Sequence, residues 1–384
     1  MSGKCFRYRR RQCRRHRSGG LQRSWWFRTP RRFATIAKII DSLFVIDFNA
    51  LRFHGDEAAM NASLDFAVNV RLSRPPAWLR DVLHRGVDTL GAYPNSEAAR
   101  RAVAQYHCVQ PEQVLLLAGA AEGFALLPRL APRLATVVHP SFTEPEYALR
   151  MAGVPVHRWV LRPPFELCEG QGTTSGEPGD LGDMLVVGNP TNPTGVLHPR
   201  ATLLELAERV RYLVVDEAFM DLSPDESLIG DTSGTGIIVL RSLTKTWGLA
   251  GLRCGYLIAD PAVVARLERC RPHWPLGTLQ LLAIEHAVGA DVGPLRAEVL
   301  RQRAAMVEYL SDCGWRVWPS QAPFVLVNPP GADPDGQRER LAERGVAVRR
   351  CDTFPGLGPD FWRLAVRDGE AVATLEAHRK EIAW

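Results

Sequence analysis

From Val114 onward, short apolar runs alternate with stretches whose apolar residues recur at spacings of three and four. VLLLAG (114–119), ATVVHP (135–140), DMLVVGNP (183–190), YLVVDEAF (212–219) and GIIVLRSLTK (236–245) each read as a buried strand that ends in a turn bearing polar residues. Between them, AEGFALLPRLAP (121–132) and PRATLLELAERV (199–210) carry helical spacing. Strand and helix in alternation predict an α/β fold with a mainly parallel sheet. Ligands of such sheets sit at the carboxyl ends of the strands, so the residues just after each run are where chemistry is to be sought. The pattern changes in the last third. Long helical spacing around 278–310 precedes GWRVWPSQAPFVLVN (314–328) and FWRLAV (361–366), which predict strands of a smaller α+β domain. CEGQGTTSGEPGDLG (168–182) is glycine-rich and polar and predicts a surface loop. No internal repeat, GxGxxG or P-loop pattern is present in the sequence.

Composition narrows the class. With 384 residues, 46% of them hydrophobic and 23% charged, the chain has the make-up of a globular protein with one large and one smaller domain. No run approaches the roughly 18–20 apolar residues of a membrane span, so no membrane partner is expected. Eight cysteines, at 5, 13, 108, 168, 254, 270, 313 and 351, show neither CxxC pairs nor metal-ligand spacing, so no metal site is expected. A reducing cytoplasm is the simplest home for them. The net charge of +5 conceals an asymmetry, because residues 1–40 hold thirteen Lys or Arg and no acid, leaving the remainder at −8. Basic residues beside aromatics in this leader invite a nucleic-acid reading, and an Arg-rich, acid-poor start also suits a transit peptide. The favoured account is a disordered or non-native leader over residues 1–45, with nucleic acid the weaker partner candidate.

Candidate chemistry concentrates after the strands. In SLTKTWGLAGLR (242–253) a strand delivers Ser242, Thr244 and Lys245 into a glycine-containing loop that ends at Arg253. An imine-forming lysine needs an unprotonated amine, which burial or nearby positive charge favours, while the hydroxyls and guanidinium suit a phosphate. GNPTNPTG (188–195) sets Asn192 between two prolines, where its amide can be held toward a ligand oxygen; alone, it reads equally as a rigid turn. Asp216 ends an apolar strand, where a carboxylate requires a cation; a protonated pyridine nitrogen or a structural arginine would serve. GAAEGF (119–124) is a strand-to-helix turn of small residues that lets the amides of Ala120 and Ala121 approach a phosphate. Phe142 follows another strand end and suits stacking on a flat ring or packing in the core.

Taken in order, Asn192, Asp216, Lys245 and Arg253 resemble the fold type I pyridoxal-phosphate aminotransferases of class I/II, over roughly residues 50–384. Within that family the chain is most similar to the histidinol-phosphate aminotransferase branch, which includes the cobalamin-pathway threonine-phosphate decarboxylases. The resemblance implies pyridoxal 5'-phosphate as cofactor, a large cofactor domain over 85–268 and a small domain from 46–84 and 269–384. It implies Lys245 as the Schiff-base lysine, Asp216 as partner of the pyridinium and Asn192 as donor to the cofactor's 3-oxygen. It places Ala120, Ala121, Ser242, Thr244 and Arg253 at the cofactor phosphate and Phe142 over the ring. Tyr93 matches a tyrosine that reaches the neighbouring subunit's phosphate, implying a homodimer. Arg363 matches the arginine that grips a substrate carboxylate. The opening segment HGDEAAMNASLDFAVNVRL, with Asn69, and VRRCDTFPGLGPDFWRLAVR, with Arg349 and Arg350, look like the decarboxylase subgroup. The two arginines are candidates for a phosphorylated side chain or for ordinary solvated charge. Phe219 stands where many relatives have a tyrosine that also bonds the 3-oxygen. The functional expectation is an aminotransferase for a phosphorylated or anionic amino substrate, with a 2-oxo acid acceptor. Threonine-phosphate decarboxylation is the alternative, and a non-catalytic regulator with this fold a third.

Overall fold

The computed structural model describes residues 51–167 and 179–382, so the leader expected over 1–45 and most of the loop expected over 168–182 lie outside the described residues. The described chain opens with a short helix α1 (Gly55–Ala59), strand β1 (Leu64–Asp65) and helices α2 (Ala77–Val87) and α3 (Glu97–His107). Strands β2 (Val114–Leu117), β3 (Ala135–His139) and β4 (Val156–Val160) follow, with α4 (Ala120–Leu126) and α5 (Glu144–Met151) between them. Then come β5 (Met184–Gly188), α6 (Arg200–Ala207), β6 (Tyr212–Asp216), β7 (Ile237–Ser242) and β8 (Gly255–Ile258). Strands β2 to β8 make one seven-stranded sheet in the order β2-β8-β7-β6-β5-β3-β4, in which only β8 runs antiparallel to its neighbours.

Alternation along the strands explains the layers. Leu185, Val187, Leu213, Val215, Ile237 and Val239 face one core, shared with buried residues of α2, α3 and α6. Their neighbours Val186, Val214, Ile238 and Leu240 face the other, against Phe124 of α4 and Leu149 of α5. Both faces are covered, so the strands are apolar throughout. All five strands expected from apolar runs are present, each slightly shorter than its run. The helical spacing over 121–132 resolves into α4 and a 3-10 turn (Leu127–Leu130), because Pro128 cannot donate the next α-helical bond.

Beyond the sheet lie α7 (Pro261–Glu268), α8 (Thr278–Ala287) and the twenty-residue α9 (Gly293–Asp312). Helix α8 packs on α2 and α3. Strands β9 (Arg316–Val317) and β10 (Phe324–Asn328), helix α10 (Pro334–Glu343), strands β11 (Val346–Ala347), β12 (Arg349–Arg350) and β13 (Trp362–Ala365), and helix α11 (Gly369–Ile382) complete the chain. A second, antiparallel sheet has the order β12-β13-β10-β9, while β11 pairs with β1. Its core holds Val325, Trp362 and Leu364 against Met306, Leu310 and Leu375, with Phe66 contributed by the segment after β1. No helix among the described residues is long and apolar enough to cross a membrane, and no cluster among them could hold a metal ion.

Candidate active site

Five strands of the large sheet end on one cavity of about 600 Å³. At the end of β6, Asp216 accepts a hydrogen bond from the Ala218 backbone N–H at 3.1 Å, and no side chain among the described residues pairs with it. Burial pushes its carboxyl up to about 6, and the neighbouring Glu217 adds to the shift. The site therefore asks for a cation near Asp216.

Lys245 lies three residues beyond β7 and lines the same cavity. Burial and then the Arg363 and Arg253 cations push its amine down to about 8, against the opposing pull of Asp56 and Asp216. An amine so placed is partly unprotonated near neutrality, as a nucleophile must be.

Around the turn between β2 and α4, Ala120 and Ala121 reach the cavity from the first turn of the helix. Gly119 precedes them at φ +78°, which strains any side chain, and a Cβ there would lie 2.8 Å from the Arg253 guanidinium and force it to shift. Arg253 itself has φ +62°. Ser242 and Thr244 place their hydroxyl oxygens 2.6 Å apart, on the same wall. Glu122 could repel an anion here, but its carboxylate is turned back to the Ala118 N–H and to Arg271 at 2.7 Å. The result is a cradle of hydroxyls, backbone amides and one guanidinium, which fits a phosphate.

After β5, backbone bonds from Thr191 N to Val196 O and from Gly195 N to Thr191 O close the turn that carries Asn192. The Asn192 Oδ1 accepts from Arg363 Nη1 at 2.7 Å, which orients the amide and leaves its NH2 free to donate. Phe142, after β3, lines the cavity half-buried, its ring 5.4 Å from that of His54 and 6.0 Å from that of Phe124.

The small sheet supplies the opposite wall. Arg363 on β13 stands directly across the ladder from Arg349 on β12. Both are buried and both line the cavity. Arg363 donates to Asn192 and to the Ala67 carbonyl, whereas its Nε has no partner. Arg349 donates to the Phe53 carbonyl at 2.8 Å and to the Thr353 hydroxyl at 2.9 Å. Of the two readings left open for Arg349, the structure overturns ordinary solvated charge, since the residue is 3% exposed with Phe53 and Phe354 flanking its guanidinium. Arg350 points elsewhere and pairs with Asp352. Burial lowers both inward-facing cations, Arg349 to about 10 and Arg363 to about 9, yet leaves them charged at neutral pH. Asn69, 5% exposed, adds an Oδ1 without a partner.

Besides Arg350, one residue singled out in the sequence is not brought to the cavity, Tyr93. It is 77% exposed and stacks on Trp274 with ring centroids 4.2 Å apart. Phe219 does line the cavity, edge-on to Phe324. Sequence reasoning gave no role to His54, Glu144 and Asp56, which also line it, with His54 Nε2 2.8 Å from Glu144 Oε1. His54 and Asp56 are there because the chain before β1 crosses the mouth of the large sheet, for which the sequence carries no local signal, and Glu144 opens α5 just after Phe142.

A family model described as aminotransferase class I and II matches residues 64–375. The chain belongs to the class I and II aminotransferases. Their cofactor is pyridoxal 5'-phosphate. Among curated members of this family, a histidinol-phosphate aminotransferase of Mycobacterium tuberculosis is 47% identical over 350 residues, covering 89% of this chain and 94% of its own length. A threonine-phosphate decarboxylase of Salmonella typhimurium is 32% identical over 318 residues, covering 79% and 86%. The fold is that of fold type I aminotransferases. The crystal structure of histidinol-phosphate aminotransferase from Clostridium acetobutylicum superposes with a TM-score of 0.75 at 22% identity, covering 83% of this chain and 99% of that one.

Proposed function

We propose that this chain is a pyridoxal-phosphate-dependent aminotransferase whose amino substrate carries a phosphate or another anionic group, as histidinol phosphate does. The observation that carries the substrate class is the pair Arg349 and Arg363: two buried guanidinia adjacent across the ladder, with no carboxylate among the described residues within ion-pair distance of either. Uncompensated buried cations are costly, and a substrate of matching charge offsets that cost.

When bound, pyridoxal 5'-phosphate supplies an electron sink that stabilises charge at the amine-bearing carbon of the substrate. In our reading Ser242, Thr244, Arg253 and the amides of Ala120 and Ala121 hold its phosphate. Phe142 would cover one face of the ring, and Asn192 would donate to the cofactor through the NH2 that Arg363 leaves free. Asp216 would keep the ring nitrogen protonated, which would give a cation to a buried carboxylate that has only a backbone N–H as partner. Lys245 anchors the cofactor and then, as a free amine, moves the proton at the substrate carbon. Arg363 and Arg349 orient the anionic group, and Asn69 offers its unpartnered oxygen to a donor on the substrate. A 2-oxo acid would be the acceptor of the amino group.

The expected result is transfer of the amino group of histidinol phosphate to 2-oxoglutarate, read as glutamate formation, and an Arg349→Met variant that loses at least about tenfold in kcat/KM for the phosphorylated substrate, the scale of a charge-assisted contact. A second reading is favoured by the same two arginines, because a substrate bearing both a carboxylate and a phosphate would use one each. Carbon dioxide released from threonine phosphate without any 2-oxo acid would establish that reading and refute the first.

We also infer a homodimer, supported by the exposed Tyr93 and Trp274 pair lying outside the chain's own cavity. A large domain over 85–268, a small domain from 46–84 and 269–384, and a cytoplasmic setting belong to the same proposal. The five described cysteines, all free thiols, support the setting.

A further inference from the structure

Behind the cavity, a chain of side-chain hydrogen bonds runs between the neighbours of the two residues most concerned with the cofactor. Thr246, next to Lys245, donates through Oγ1 to Asp221 Oδ2 at 2.6 Å. The other oxygen of Asp221 accepts from Arg241 Nη2 at 2.6 Å. Arg241 Nη1 reaches Glu217 Oε2 at 3.1 Å, and Glu217 directly follows Asp216. Glu217 is completed by the Ser227 hydroxyl at 2.7 Å and the Leu228 N–H at 2.8 Å, so every partner has fixed neighbours. Arg241 lies on β7 and is 6% exposed, and neither it nor Glu217 lines the cavity.

A buried cation between two carboxylates is weak evidence of stabilisation in itself. Its placement is the informative feature. Lys245 stands in a loop past the end of β7, tied down locally by the backbone bonds Trp247 N to Leu243 O at 3.3 Å and Leu249 N to Thr244 O at 3.1 Å. A loop residue that must present an amine needs further support from side chains around it. We propose that Arg241 is a positioning residue which, through Asp221 and Thr246 on one side and Glu217 on the other, fixes the spacing of the Lys245 amine and the Asp216 carboxylate. This rests on the roles given above to Lys245 and Asp216, and it adds the element that sets their separation.

The test centres on Thr246, because an Arg241→Met variant would strand two buried carboxylates and could fail to fold. Thr246→Val keeps the shape of the side chain and removes the hydroxyl, whereas Thr246→Ser keeps the hydroxyl. In holoenzyme, Thr246→Val should lower kcat about tenfold with KM within about twofold, the scale of one hydrogen bond to a charged group. Thr246→Ser should restore it. A second readout is the pH dependence of pyridoxal 5'-phosphate uptake by cofactor-free full-length protein, fixed to Lys245 by borohydride and located by peptide mass mapping. Lys245 faces Arg363, Arg253, Asp216 and Asp56. Loosening the loop should let its amine escape toward water and move the uptake midpoint upward, toward that of an ordinary lysine.

Wild-type kcat and midpoint in Thr246→Val would overturn the proposal, as would equal losses in the Val and Ser variants. Lys245→Ala separates the two levels of inference. Borohydride-fixed cofactor retained in that variant refutes the role of Lys245 itself. If Lys245→Ala loses the fixed cofactor while Thr246→Val behaves as wild type, the positioning role alone fails.

Discussion

A carboxylate with one backbone N–H as its partner, buried at the end of β6, favours its neutral form because its charge is poorly solvated there. The pKa of Asp216 in the folded protein, about 6, lies above the ordinary 3.8, so the folded chain holds this proton to higher pH than the unfolded chain does. The contribution of Asp216 to stability in the cofactor-free protein therefore falls as pH rises from about 4 to about 6 and is constant above that window. Asp216→Asn removes this dependence. Urea midpoints of the cofactor-free variant at pH 4 and pH 7 should differ in its favour relative to wild type, gaining at pH 7. An unchanged difference between the two pH values would contradict the burial of an unpartnered carboxylate. Phe219 illustrates the opposite case: its ring belongs to a small cluster with Ala322 and Phe324, so apolar packing holds it in place.

Elements made from uninterrupted apolar runs were legible in the sequence, because a strand buried on both faces has little freedom in composition. Two strands of the large sheet were not. β4 is an edge strand with His157 and Arg158 exposed, so its pattern is diluted by solvent-facing residues. β8 has four residues directly after the lysine loop, and its antiparallel insertion between β2 and β7 depends on long-range pairing. The turn between β2 and α4 was legible as a run of small residues, but the reason for Gly119 was not. It is the Arg253 guanidinium, arriving from 134 positions later in the chain, that fills the space a Cβ would take. Gly119→Ala combines that collision with a left-handed φ, and it should weaken pyridoxal 5'-phosphate binding about tenfold, matching a strain of 1–2 kcal/mol. Fluorescence titration of the cofactor-free protein measures this; an unaltered dissociation constant would remove Arg253 and Gly119 from the phosphate cradle.

At the scale of the whole molecule, the proposed homodimer turns on Tyr93. Its stacking on Trp274 at the surface leaves it available to a second copy. Tyr93→Ala and Lys245→Ala should each lower activity, yet mixing them after mild dissociation should recover up to about a quarter of wild-type activity. Half of the reassociated dimers then hold one site with both an intact Lys245 and an intact partner tyrosine. No recovery in mixtures shown by mass photometry to contain hybrids would argue against sharing of the site. The sequence by itself determined the large α/β sheet and marked Lys245, Asp216, Asn192 and Arg253 as strand-end candidates for the cofactor chemistry that the family resemblance implies, since burial on both faces and strand-end chemistry leave local marks. Only the tertiary structure decided that Arg349 is buried beside Arg363 rather than solvated, that Asn192 is oriented by Arg363, and that one arginine behind the cavity links the neighbours of Asp216 and Lys245. Those contacts join residues far apart in the chain, and no local pattern of residues records which distant partner a side chain will meet.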